Sequence, residues 1–167
     1  MSLVALPVNY SGNFNPFYGS FSGNADQTIN KDSPTVALFD TTEISYGVSL
    51  VAQTQLTVSN DGIYECSFSP QLAVSGGTKT EIITWLRLDG NNIARTSSRV
   101  ELGNNNSTNF PYFSYILSMS AGQYVEFVVS ASTLNATLEY HPAKVNPPDL
   151  YNAPSDPSII AIVKRIG

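Results

Sequence analysis

The chain has 167 residues, 42% of them hydrophobic, which suits a single domain with a real core. Charged residues make up only 13%, and the net charge of −5 comes from dispersed acids, with no run of Lys or Arg able to follow a phosphate backbone. Nucleic acid is thereby excluded as an expected partner, and so is a membrane, because no stretch approaches the roughly 20 apolar residues of a spanning helix.

Residues 1–23, "MSLVALPVNYSGNFNPFYGSFSG", mix Pro, Gly, Asn and aromatics without a period and read as an extended N-terminal arm outside the regular core. Leu3, Val4, Leu6, Phe14 and Phe17 each gain about 1.5 to 3 kcal/mol if fully buried. The arm therefore needs a surface, either its own domain or a neighbouring protein, and these five residues are the candidate docking set. The first basic residue is Lys31, so the basic start of a secretory signal is not expected here.

Residues 24–167 read as one β domain. Strand-like runs begin at Thr35, Tyr46 and Gln55, parted by turn residues, and "GIYECSFSPQLAV" follows from Gly62 to Val74. In that run Tyr64, Cys66 and Phe68 point one way and Ile63, Glu65, Ser67 and Ser69 the other. "EIITWLRLDG" leads into "LDGNNIA", where Asp-Gly marks a tight hairpin, and "ARTSSRVEL" reads as the return strand. Phe113, Tyr115, Leu117 and Met119 alternate with Ser114, Ile116 and Ser118. "SAGQ" then turns the chain, and Val125, Phe127 and Val129 carry the inward face back, so this stretch reads as a second hairpin. The Pro-rich "HPAKVNPPDLYNAPSDP" connects to a last strand, "SIIAIVKRIG". Its unbroken apolar run Ile159 to Val163 makes both faces apolar, whereas one face of an antiparallel sandwich normally meets water. A covering partner, either a second subunit or the arm, is implied for the outer face.

Little in the chain points to catalysis. His141 is the single histidine and has no nucleophile-elbow serine or cysteine near it in sequence. One His and one Cys cannot supply a zinc set, and Cys66, flanked by aromatics in an alternating run, reads as a small buried hydrophobe. Asp32, Asp40, Glu43, Asp61, Asp89, Glu101 and Asp149 lie in or beside loops without EF-hand spacing and read as turn formers. Trp85 reads as packing within its strand. No cofactor, no metal and no enzymatic activity are expected.

The order of segments resembles a known superfamily. "GIYECSF", "WLRLDGNNIA", "YILSMSAGQYVEF" and "PSIIAIVKRIG" resemble the strand signatures of the tumour necrosis factor (TNF) and first-complement-component globular heads. More closely, "YGSFSGNADQTI", "LFDTTEISYGVSL", "LTVSNDGIYECSFSPQL" and "LSMSAGQYVEF" look like the small jelly-roll domains of tailed-phage and other virion structural proteins, over roughly residues 17–167. The resemblance implies an all-β, ten-stranded antiparallel jelly-roll sandwich that assembles as a homotrimer. It directs Ser67, Ile116, Ser118, Ile159, Ala161 and Val163 toward neighbouring subunits, and Tyr64, Phe68, Leu117, Val125 and Phe127 into the core. Ser67 and Glu65 depart from the larger apolar groups that cytokine members carry. The role implied is a decoration or cement protein on the outer surface of a viral capsid, bound to the major capsid protein. The alternative is a receptor- or glycan-binding knob of a head fibre, tail fibre or baseplate.

Overall fold

The computed structural model describes residues 16–76, 79–103, 107–143 and 154–167. The first strands are β1 (Tyr18–Gly23), β2 (Gln27–Thr28), β3 (Thr35–Val36), β4 (Thr41–Tyr46), β5 (Val48–Val51) and β6 (Gln55–Val58). The middle of the chain forms β7 (Gly62–Pro70), β8 (Leu72–Val74), β9 (Thr80–Leu88), β10 (Asn91–Asn92) and β11 (Ser98–Leu102). The remainder forms β12 (Ser107–Asn109), β13 (Phe113–Met119), β14 (Tyr124–Ala131), β15 (Ala136–Leu138) and β16 (Ile159–Arg165).

Among the described residues these strands build three sheets. One has five strands in the order β13-β7-β16-β1-β4. A second has seven, ordered β10-β9-β14-β6-β5 with β11 on β9 and β3 on β14, and a third has four, ordered β12-β8-β15-β2. The chain is thus an all-β, multi-sheet sandwich of jelly-roll character, built from more and shorter strands than the ten expected. Its core lies between the five- and seven-stranded sheets. Phe21, Tyr64, Cys66 and Phe68 from one meet Leu56, Ile82, Leu86, Val125 and Phe127 from the other, all essentially without exposure. The rings of Phe68 and Phe127 stack at 5.1 Å and Phe113 tilts against Phe127 at 5.9 Å, an aromatic trio that ties the two sheets together.

The alternating residues of β7 and β14 face as the period of two requires, and Leu117 on β13 is half-buried against the core. The hairpin at Asp89 is present. Asp89 and Gly90 have φ of 49° and 76°, the left-handed pair that a two-residue turn needs, and Asn91 and Asn92 pair back onto Leu88 and Arg87. "ARTSSRVEL" returns as β11 along β9.

Three expectations require correction. First, β13 and β14 are not a hairpin, because they belong to different sheets. The intervening turn is held elsewhere: Gly122 N–H donates to the Val58 carbonyl at 2.8 Å, Val58 N–H donates to the Gln123 carbonyl at 3.0 Å, and the Asp61 carboxylate accepts from Ala121 N–H at 2.8 Å. Second, Gly62 to Val74 is not one strand. Pro70 has no N–H to donate, and the chain leaves the five-stranded sheet there, so β8 enters the small sheet. Third, the arm does not extend to residue 23. Residues 18–23 are β1, an interior strand between β16 and β4, with Phe21 fully buried, so the domain begins before residue 24.

Candidate functional site

The outward face of the five-stranded sheet gathers several exposed apolar side chains on one regular surface. Register fixes what stands beside what. Ser114 on β13 pairs with Ser67 on β7, and Ser67 pairs with Ile162 on β16. The β16–β1 pairing is held at Gly23–Ile159 and again where Arg165 N–H donates to the Phe17 carbonyl at 2.7 Å, which sets Ile162 opposite Ser20. Ser20 in turn pairs with Ile44 on β4. One row therefore crosses all five strands as Ser114, Ser67, Ile162, Ser20, Ile44. The neighbouring row contains Ile116, Glu65 and Lys164 from β13, β7 and β16, and ends on the Tyr18–Tyr46 pair.

Within the single chain, Ile116 is 68% exposed, Ile44 56%, Tyr46 50% and Ile162 42%. Covering the exposed part of each isoleucine is worth on the order of 1 kcal/mol or more. Small hydroxyl side chains lie between them, so the face is stepped, with isoleucines standing above a floor that includes the buried Ser67. The floor carries one ion pair. Lys164 Nζ lies 2.9 Å from a Glu65 carboxylate oxygen, and the Ser114 hydroxyl donates to the other at 3.0 Å. Lys164 first, and then Ser114, hold the Glu65 carboxyl below its ordinary range, while Glu65 pushes the Lys164 ammonium up.

Three of the six residues directed toward neighbouring subunits lie on this outward face: Ser67, Ile116 and Ser118. The other three do not. Ile159, Ala161 and Val163 are fully buried inside the chain's own core and can offer no side chain to a second subunit. An unbroken apolar run carries no mark of which residues face inward, and here the register opposite Phe68 and Cys66 turns Ala161 and Val163 in and Ile160 and Ile162 out. Ile44, Tyr46, Ile160 and Ile162 are the residues that sequence reasoning missed. For β4 the signal was weak, since every residue from Thr42 to Tyr46 is exposed and the strand alternates without burying either face.

Of the candidate docking residues, Leu3, Val4, Leu6 and Phe14 lie outside the described residues. Phe17 is half-buried in its own domain. It stacks on Tyr46 at 5.6 Å beneath the Arg165 guanidinium, whose carbon lies 5.7 Å from the ring centre, so it is packing within the domain and not a free docking group. Gly47 opposite it has φ of 69°, and a Cβ there would run into the Phe17 ring.

Two of the loop acids, Asp89 and Asp40, brace the turns beside them. Asp89 accepts from Tyr124 N–H at 3.0 Å and from Gln123 Nε2 at 2.7 Å. Asp40 accepts from the backbone and side chain of Asn24 and from Thr41, bonds that outweigh partial burial and hold its carboxyl low. Asp149 lies outside the described residues. Among the described residues no three His, Cys, Asp or Glu side chains converge as a metal site. Burial, with a small contribution from Glu65, pushes the Cys66 thiol up to about 12, which leaves it an inert part of the core. Trp85 is half-buried on β9 and donates its indole N–H to Asn92 at 2.8 Å.

No protein-family model matches the chain, and no curated protein matches it. Among solved structures, that of Eiger TNF from S. frugiperda aligns over 92% of this chain and 94% of its own, with a TM-score of 0.53 and 15% identity. At that identity the likeness concerns the fold alone, which resembles a TNF-like jelly roll.

Proposed function

We propose that this chain is a non-enzymatic virion structural protein that works as a homotrimer on the outer surface of a viral head, where it clamps adjacent copies of the major capsid protein. The observation that carries the trimer is the stepped apolar face of the five-stranded sheet, with Ile44, Ile116 and Ile162 exposed in a single chain. Self-association covers such a face without any catalytic group, and a closed threefold ring leaves no sticky edge for further growth. The same face explains why the Glu65–Lys164 pair is made within one chain: both charges are matched before they are covered.

The virion placement is supported by the likeness of the strand segments to small jelly-roll domains of virion proteins. Low charge content, a negative balance and an amide-rich composition suit a particle's outside better than its nucleic-acid-filled interior. Capsid contact falls to the apolar residues Leu3, Val4, Leu6 and Phe14, since Phe17 is engaged in its own domain.

Light scattering on the purified chain tests the assembly. The wild type is expected at the mass of three chains and Ile162→Asp at the mass of one, with an unchanged far-ultraviolet spectrum. A wild type that stays monomeric at all accessible concentrations sinks the trimer. Copy number per particle tests the placement: cement requires many copies spread over the head, whereas a few copies at a vertex or tail mean adhesion.

A further inference from the structure

The small sheet carries a polar groove that the assembly does not use. Its register sets Thr108 on β12, Ala73 on β8, Thr137 on β15 and Thr28 on β2 in one row. Their neighbours Leu72, Val74, Ala136 and Leu138 are buried, which turns the threonine row outward. Ala73, flanked by two threonines, is too small to fill its place and forms the floor of a hollow of about 420 Å³. Val74 and Ser75 continue the floor, and Glu139 and His141 form the rim.

The rim is fixed from behind. Glu139 N–H donates to the Gln71 carbonyl at 2.8 Å, extending the β15–β8 ladder. His141 exchanges both backbone hydrogen bonds with Asp156, at 3.0 and 2.8 Å. The imidazole Nε2 lies 3.4 Å from a Glu139 carboxylate oxygen. Among the described residues the Thr108 and Thr137 hydroxyls have no hydrogen-bond partner, so both remain open to a ligand.

We infer that this groove is a binding site for a neutral saccharide unit, held by the Thr108 and Thr137 hydroxyls, the Glu139 carboxylate and the His141 imidazole over an Ala73 floor. The chemistry selects that class. Among the described residues no Lys or Arg lines the hollow and a carboxylate does, so phosphates and acidic sugars meet repulsion there instead of a counter-charge. An apolar ligand would strand two hydroxyls and an acid–imidazole pair. A pyranose presents one C–H face to the alanine methyl and a ring of hydroxyls to the rim, and the volume accepts one or two sugar rings. Because the groove lies on a different sheet from the isoleucine face, binding there does not require assembly.

The test uses the isotopically labelled full chain, titrated into the millimolar range with the methyl glycosides of glucose, galactose and mannose, and separately with inorganic phosphate. The expected result is amide shifts at 73–75, 108, 137, 139 and 141 with at least one sugar and none with phosphate. Thr108→Val, which keeps the shape and removes one hydroxyl, and Ala73→Leu, which fills the floor, should each weaken that binding about tenfold or more. The Val variant decides the matter if the Leu variant does not fold. No shift at these positions with any of the three sugars, a response to phosphate instead, or unchanged affinity in Thr108→Val overturns the site.

Discussion

The two large sheets share one architecture and treat their outward faces in opposite ways. On the seven-stranded sheet, Glu81 pairs with Arg99 at 2.8 Å, and Trp85 and Arg87 both donate to the Asn92 side chain. Val128, the outward apolar residue of β14, is fully buried, flanked in register by Trp85 and Val36. Over β9, β11 and β14 that face is finished for water, and Val51 on the edge strand β5 is its exposed apolar residue. On the five-stranded sheet, Ile44, Ile116, Ile160 and Ile162 stand exposed around a single ion pair. On the proposed trimeric reading, the open face is the one that a second subunit covers.

The sharpest way to break this comparison is through the two sides of β16. Ile159 is fully buried, and Ile159→Ala should cost about 2 to 5 kcal/mol, the usual range for emptying a core site. Ile160, one residue on, outward and 38% exposed, should cost less, about 1 kcal/mol as Ile160→Ala, when measured by urea denaturation at low protein concentration. If the proposed trimer forms, the Ile160 variant should lose more at high concentration, because assembly is then part of stability. Equal costs for the two positions in dilute solution would mean that the inward and outward sides have been assigned the wrong way round.

A smaller effect is expected inside the seven-stranded sheet. The Thr84 hydroxyl is buried and has no hydrogen-bond partner among the described residues. Thr84→Val keeps the branched shape and removes the stranded group, so it should stabilise the chain by about 1 kcal/mol, read as a higher denaturation midpoint with an unchanged slope. A loss of stability would show that the hydroxyl has a partner in solution.

How far these features were legible in the sequence follows from range. Alternation in β7 and β14 correctly separated Tyr64, Cys66, Phe68 and Phe127 from their outward neighbours, and Asp89-Gly90 marked its turn, because both signals are local. Strand partnership is not local. Nothing near Ala121 reveals that Asp61 and Val58 hold the β13–β14 turn and divert the chain to the other sheet. In β1, "YGSFSG" offers Phe21 as its only large inward side chain, so an interior strand looked like an arm. The face of β16 was correctly judged apolar on both sides, but five apolar residues in succession cannot say which are inward. The groove left still less trace, since Thr108, Ala73 and Thr137 come together only through the pairing of three short strands.

The smallest effect separates the two faces by their ion pairs. Glu65 is held below its ordinary range in the folded chain, so its contribution is complete above the unfolded value and fades as pH falls through the lower, folded one. Lys164 is raised, so its contribution is complete below its unfolded value and fades as pH rises through the higher, folded one. Stability that depends on this pair should therefore hold across neutral pH and weaken only at the acid and alkaline ends, and Glu65→Gln should flatten the acid limb. In the dissociated chain that change is slight, because the pair stands in water. If a second subunit covers it, the acid limb should steepen as protein concentration rises, and the Glu65→Gln difference should grow with it. The Glu81–Arg99 pair on the finished face supplies the contrast: Glu81→Gln should shift the denaturation profile by the same small amount at every concentration.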